Sequence, residues 1–184
     1  MFDRILKEIN ICLDNNAILA ALALTLTLPD AFGAIEYPKE GTGPRYIKWV
    51  DTFAPNIINQ KATVALPKLD ENSKYQQIKV PTDGELLFHI RNTLLHEATT
   101  KISSNKTINS ITLADDEKNQ FDIYAHSFGS TMLDDDESTI NIHYRLSIRA
   151  LVDYLKTAAE NYYDKNKNKL KEYEKDWTIK MPKI

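Results

Sequence analysis

The sequence has little that would indicate a secreted or membrane-spanning protein. Cys12 is the only cysteine in 184 residues, so the chain cannot form an internal disulfide, and it lies in an apolar helical pattern. Such cysteine usage is typical of a reducing compartment and predicts a cytoplasmic protein. The apolar run Ala17 to Leu28 is 12 residues long, which is too short to cross a bilayer, and Asp3, Glu8 and Asp14 precede it instead of a basic leader. We therefore expect a buried helix there and no membrane contact.

The sequence also lacks an excess of basic residues. Its formal net charge is −3, whereas proteins that bind nucleic acids through phosphate contacts usually present a basic surface. The charge is unevenly distributed, because the segment from Ala114 to Glu137 has eight acids and one lysine, while the chain from Lys156 onward has eight lysines and five acids. A local basic surface is therefore compatible with the sequence.

Length and composition predict one mainly helical domain over residues 1–184. A hydrophobic content of 42% and a charged content of 27% are typical of globular proteins. Apolar residues recur at helical spacing in three regions, and we expect helices there. These are Phe2 to Leu28 (one bent helix or a hairpin, ended by Pro29 and Asp30), Arg45 to Phe53, and about Leu146 to Lys165.

The segment of about residues 107–144 has a different pattern, because apolar and polar residues alternate in short runs separated by polar turns. This pattern predicts two or three short strands. We expect a small antiparallel β insertion between the last two long helices of a helical bundle. The stretch from Pro55 to Pro81 contains three prolines and is predicted to be a loop with at most one helical turn.

Before that insertion, the sequence predicts a helix that begins near Asp83 and carries a polar stripe. Thr82 followed by Glu85 fits a capping box, which fixes the start of the helix. Leu86, Leu87, Ile90 and Leu94 form its apolar side, and the helical step of about 100° per residue places four polar residues along one stripe. These are Glu85, His89, Asn92 and His96.

The string Arg91-Asn92-Thr93-Leu94-Leu95-His96 contains the groups needed to cleave a phosphodiester without a metal. An imidazole can transfer a proton, and a guanidinium can stabilise negative charge on phosphorus. On an α-helix Arg91 projects about 140° away from His96, so one helix does not easily direct both side chains at one phosphate. Two copies of the helix that meet across a two-fold axis would form a composite cleft, which predicts a homodimer through this helix.

Arg91, Asn92 and His96 resemble the signature of the HEPN (higher eukaryotes and prokaryotes nucleotide-binding) superfamily, in which an arginine, often followed by a polar residue, precedes a histidine on a helix. This family consists largely of helical-bundle ribonucleases that act as dimers without a metal, many in toxin-antitoxin, phage-defence or RNA-processing systems. The resemblance implies a HEPN-like bundle in which Arg91 and His96 are catalytic and Asn92 supports them. Family members paired with nucleotidyltransferase antitoxins often have a tyrosine two residues after the histidine, where this chain has Ala98.

The resemblance therefore implies that the chain is a metal-independent endoribonuclease, which leaves a 2′,3′-cyclic phosphate and needs no cofactor. RNA is the expected substrate, Glu85 and His89 are candidate substrate-binding residues, and an antitoxin or defence protein is a candidate partner. Two alternatives stay open. The chain could be a non-catalytic HEPN-like module for dimerisation or nucleotide binding, or Arg91 could be an exposed arginine that pairs with a carboxylate while His96 caps a helix end in a purely structural helix.

Other possible sites are weaker. His89 and His96 are two helical turns apart, about 10 Å along the axis, which is too far for one metal ion. The run Asp134 to Glu137 lacks the ligand spacing and the glycine of known calcium loops, and Ser127 lacks the first glycine of a nucleophile elbow. We therefore expect no metal site. Tyr162 and Tyr163 with the nearby lysines could stack on RNA, or could simply form an exposed helix end.

Overall fold

The chain is mainly helical in a computed structural model that describes residues 2–55, 58, 63–65, 81–97, 108–115, 121–128 and 139–174. The helices are α1 (Phe2–Asp14), α2 (Ile18–Glu36), α3 (Thr42–Phe53), α4 (Asp83–Asn92) and α5 (Ile148–Glu174), and α4 continues into a π-helical turn (Thr93–Glu97). The strands are β1 (Thr63–Ala65), β2 (Ile108–Ala114), β3 (Phe121–Phe128) and β4 (Thr139–Ser147).

Helix α2 is central in the bundle, because it packs against α1, α3, α4 and α5. Phe32 on α2 stacks on Trp49 of α3 with ring centroids 5.6 Å apart, and it also contacts Tyr162 of α5 at 4.9 Å. These aromatic rings remove large apolar areas from water and so join three helices into one core. Cys12 is half-buried and packs against the same core.

The prediction that the first helical region ends at Pro29 is wrong, because α2 runs through Pro29 to Glu36. A proline inside a helix removes one hydrogen bond and costs about 3 kcal/mol. Leu26, Leu28 and Phe32, which flank Pro29 on α2, are fully buried. Packing of these side chains against the neighbouring helices outweighs the local preference to stop. As a result, Asp30 is inside the helix and not in a loop.

Among the described residues, α2 is also one helix that is long and apolar enough, by length and composition, to cross a membrane. The central helix of a bundle meets the same criteria. Here its buried residues pack against four other helices, so the expected burial of the run from Ala17 to Leu28 is confirmed. The expectation that this helix is too short to cross a bilayer is wrong, because α2 continues to Glu36 and has 19 residues. Cytoplasmic localisation stays a prediction.

The β insertion is confirmed as a small sheet, but its expected antiparallel topology is wrong, because the sheet is mixed. The strand order is β1-β3-β4-β2, in which β3 and β4 are antiparallel while β1 pairs with β3, and β2 with β4, in parallel. Strand β1 is not predicted by the sequence pattern, because it lies in the stretch from Pro55 to Pro81 that is predicted to be a loop. Between Pro55 and Pro81 the structure describes only Ile58 and β1, so the rest of the predicted loop lies outside the described residues.

The sheet joins the bundle through alternating side chains near the ends of two strands. Ile111 on β2 is opposite Tyr144 on β4, and both are buried, whereas Thr112 and Arg145 are exposed. Because successive side chains of a strand point to opposite faces, one face of the sheet packs on the helices. Helix α5 begins directly after β4, has a kink with non-helical backbone angles at Asn166, directly after the predicted end at Lys165, and then continues to Glu174.

Candidate functional site

Arg91, near the end of α4, forms an ion pair with Asp30 of the central helix α2. Its Nη2 atom lies 2.6 Å from Asp30 Oδ2, and its Nη1 donates a 2.8 Å hydrogen bond to Asn92 Oδ1. The side chains of Arg91 and Asp30 are each only 18% exposed. Two acceptors from two helices therefore fix the guanidinium, whose short contact with a carboxylate is of the charge-assisted kind.

The carboxylate of Asp30 has few other polar neighbours. Its Oδ1 atom is buried and makes no hydrogen bond within the described part of the chain, and the same is true of the hydroxyl of Tyr46 on α3. Burial raises the pKa of the Tyr46 hydroxyl strongly; the negative charge of Asp30 raises it further, and the positive charge of Arg91 lowers it. Asp30 therefore depends on Arg91 for its compensation, because a buried carboxylate without a cation is costly.

His96 lies in the π-helical turn that directly follows Asn92. In a π-helix each backbone N–H bonds to the carbonyl five residues earlier instead of four, so one turn takes up an additional residue. Backbone positions five apart within such a turn lie closer to one face than in an α-helix. The expected separation of about 140° assumes α geometry from Arg91 to His96, whereas the residues from Thr93 onward are π-helical. The side chain of His96 lies outside the described atoms.

The other two candidate residues, Glu85 and His89, lie on the same half-exposed stripe of α4 as Asn92. Glu85 has a structural role, since its Oε2 accepts a 2.9 Å hydrogen bond from the Thr82 N–H while Thr82 Oγ1 accepts from the Glu85 N–H at 3.2 Å. The predicted capping box is therefore confirmed. Leu86, Leu87 and Ile90 on the opposite side are buried, as the apolar pattern predicts.

The start of α4 packs closely on α3. This contact fixes the position of α4, and therefore of Arg91, in the bundle. The N–H of Gly84 donates a 2.9 Å hydrogen bond to Asp51 Oδ1, and a Cβ atom at this glycine would lie 2.5 Å from the carbonyl oxygen of Ile47. Asp83 Oδ2 accepts a 3.0 Å hydrogen bond from the N–H of Ile58. Only glycine permits this approach of the two helices.

Asp30 is the residue of this site that was not recognised in the sequence. The local pattern predicts a helix end at Pro29 and Asp30. A signal was present, since Asp30 is the one charged residue from Ala17 to Ile35, a stretch that is otherwise apolar or small. A carboxylate within such a helix requires a buried cation or hydrogen-bond donors. The sequence does not reveal which of 23 lysines and arginines provides it.

Two other candidate sites are the tyrosine pair Tyr162 and Tyr163 on α5 and a cluster of metal ligands. Tyr162 and Tyr163 are buried, and Lys167 and Lys169 form ion pairs with Asp164 and Glu36, so the two rings do not form an exposed stacking platform. Within the described ranges there is no group of three or more histidine, cysteine or acidic side chains that could hold a metal ion. The acidic run from Asp134 to Glu137 lies outside those ranges.

No protein-family model, no curated protein and no solved structure matches the chain. The geometry around Arg91 and the resemblance of its sequence motif therefore remain as the indications of function.

Proposed function

We propose that the chain is a metal-independent endoribonuclease of the HEPN type, with Arg91 and His96 as its catalytic residues. The observation that best supports this proposal is the π-helical turn Thr93–Glu97, which begins between Arg91 and His96. π-Helical turns within α-helices are rare and occur frequently at functional sites. Arg91 is also positioned through its hydrogen bond to Asn92, the third residue of the motif.

In this mechanism His96 removes the proton from a ribose 2′-hydroxyl, and the 2′-oxygen attacks the adjacent phosphorus. The new P–O2′ bond forms while the P–O5′ bond breaks, and the departing 5′-oxygen receives a proton from an acid such as the imidazolium of a second copy. The products are a 2′,3′-cyclic phosphate and a 5′-hydroxyl. Arg91 stabilises the additional negative charge on phosphorus in the transition state.

A homodimer through α4 and the π-helical turn remains part of this proposal, since a two-fold axis would supply both a base and an acid to one phosphate. Leu95, which lies in the π-helical turn, is an exposed large hydrophobic residue and is compatible with such a contact. Sedimentation equilibrium of the full chain should then show a dimer, and a charge at this position, as in Leu95→Asp, should shift it toward monomer.

The direct test is RNA cleavage by the purified full chain in the presence of EDTA. The wild type should produce 2′,3′-cyclic phosphate ends, whereas His96→Ala and Arg91→Ala should lose at least about a hundredfold in rate, as expected when a general acid-base or charge-stabilising group is removed. Arg4→Ala is the matched control, because Arg4 is an exposed arginine on α1. Cleavage that requires a divalent metal, or that survives His96→Ala, would reject the mechanism.

A second function is favoured by the ion pair between Arg91 and Asp30. A carboxylate 2.6 Å from the guanidinium neutralises its charge, which suits a non-catalytic HEPN-like module that dimerises or binds nucleotides. Such a module should form the dimer, and should bind nucleotides or RNA, without any cleavage. A toxin or phage-defence role is part of the catalytic proposal only. In that role, expression of the wild type should arrest cell growth, whereas expression of His96→Ala should not.

A further inference from the structure

Asp30 lies beside Arg91, the guanidinium that the proposed ribonuclease would use to stabilise charge on phosphorus. We propose that the Asp30 carboxylate competes with the substrate phosphate for Arg91, and so sets how tightly the site binds an anion. This inference rests on the proposed function, because it assigns a regulatory partner to the same arginine. It concerns the ground-state affinity for phosphate and not the chemical step.

The attraction of Arg91 for an anion depends on the neighbouring charge of Asp30. An anion that approaches Arg91 experiences the guanidinium and the carboxylate together, since their charged atoms are 2.6 Å apart. With only 18% of either side chain exposed, solvent screens these charges less than it would at the surface. The attraction of the cation for phosphate is therefore largely cancelled while the Asp30 carboxylate is in contact with it.

Asp30 cannot readily turn away from Arg91. It lies within the central helix α2, and its Oδ1 atom is buried without a hydrogen-bond partner in the described part of the chain. Rotation that broke the ion pair would leave the whole carboxylate uncompensated. Phosphate therefore has to compete with a carboxylate that is held in place by the fold.

At the other end of the guanidinium the contact is neutral. Nη1 donates to the amide oxygen of Asn92 at 2.8 Å, so this contact orients Arg91 without reducing its charge. The two contacts therefore have separable effects. Removing the charge of Asp30 should tighten anion binding, whereas adding a charge at Asn92 should weaken it.

A binding assay that needs no cleavage tests this proposal. The probe is a fluorescent 2′-O-methyl oligoribonucleotide, which lacks the attacking hydroxyl, and its Kd is measured by anisotropy at several salt concentrations. Asp30→Asn preserves the size of the side chain and removes its charge, so Kd should fall about tenfold at low salt, the effect of one partly screened unit charge nearby. The gain should disappear in the double variant Asp30→Asn with Arg91→Gln.

Glu36→Gln is the matched control, because Glu36 is the other carboxylate of α2 in an ion pair and its partner is Lys169 and not Arg91. It changes the net charge equally and should leave Kd within about twofold, since its charge is not at the site. If Asp30→Asn fails to fold, Asn92→Asp tests the same claim with the opposite sign and should raise Kd about tenfold.

The proposal is overturned if folded Asp30→Asn binds the probe as weakly as the wild type or more weakly, or if Glu36→Gln tightens binding equally. Unchanged binding by Asn92→Asp would overturn it as well. These results are distinct from failure of the proposed function, which would appear as a wild type that does not cleave unmodified RNA while Asp30→Asn still tightens binding of the probe.

Discussion

Arg91 Nη2 lies 2.6 Å from Asp30 Oδ2, and this contact joins α4 to the central helix α2 in a poorly solvated place. The ion pair between Lys48 and Glu40 has the same length of 2.6 Å but is at the surface, with 51% of the lysine side chain exposed. The two pairs have equal N···O distances and different burial. A comparison of the two pairs therefore tests whether burial makes the ion pair of Arg91 with Asp30 contribute more to stability than an exposed pair of the same length.

We predict that Arg91→Ala lowers the free energy of unfolding by about 3 kcal/mol, because it leaves the Asp30 carboxylate buried and uncompensated. Lys48→Ala should cost less than about 1 kcal/mol, the usual value for an exposed pair. Urea denaturation of both variants measures the difference. A double-mutant cycle with Asp30→Asn should show strong coupling to Arg91, and equal costs for the two single variants would contradict the prediction.

A second prediction concerns Gly84, which sets the position of α4. Gly84→Ala should lower the free energy of unfolding by about 2 kcal/mol or more, because its Cβ would lie 2.5 Å from the backbone oxygen of Ile47. Gly41→Ala is the control, since the nearest atom to its added Cβ is 3.8 Å away. Thermal unfolding compares the two. A smaller loss for Gly84→Ala than for Gly41→Ala would show that α4 moves to accommodate the methyl group.

The sequence predicted those features that depend on residues close together in the chain. Thr82 and Glu85 are three residues apart, so their capping box was recognisable and is confirmed. The buried side of α4 followed from helical spacing in the same way. Alternation likewise revealed β2, β3 and β4, although three strands in a row do not specify which pairs are parallel.

The features that were missed depend on distant parts of the chain. Helix α2 continues through Pro29 because other helices pack around it, and no local rule contains that information. Asp30 and Arg91 are 61 positions apart, so their pairing becomes visible only in the folded structure. The π-helical turn after Asn92 was missed because its residues, Thr93 to Glu97, have no composition that distinguishes it from an α-helix.

A third prediction concerns acid stability. Hydrogen bonds from Lys169 and from the Tyr162 hydroxyl, each 2.7 Å, lower the pKa of Glu36 below its ordinary value of 4.5. Because the folded pKa is lowered, this carboxylate stabilises the fold above pH 4.5, and the stabilisation is lost as the pH falls through the folded pKa. Urea midpoints between pH 3 and 7 should therefore fall less steeply for Glu36→Gln than for the wild type.

Tyr162→Phe provides an intermediate case for that measurement, because it preserves the aromatic ring and removes one of the two hydrogen bonds to Glu36. Its loss of stability toward low pH should lie between those of the wild type and Glu36→Gln. Identical pH profiles for all three proteins would show that the contacts of Glu36 do not persist in solution.

The last prediction concerns alkaline pH. Burial, and secondarily the charge of Asp83, raises the pKa of the Tyr144 hydroxyl from 10.0 to about 12. Between these two values the unfolded chain loses a proton that the folded chain retains, so the free energy of unfolding should fall by up to about 1.4 kcal/mol per pH unit for this one tyrosine. Tyr144→Phe should remove that part of the slope above pH 10. Absorbance of the phenolate gives an independent measurement, since the variant should lack one tyrosine that titrates near pH 12, and loss of one that titrates near pH 10 instead would place the Tyr144 hydroxyl in contact with water.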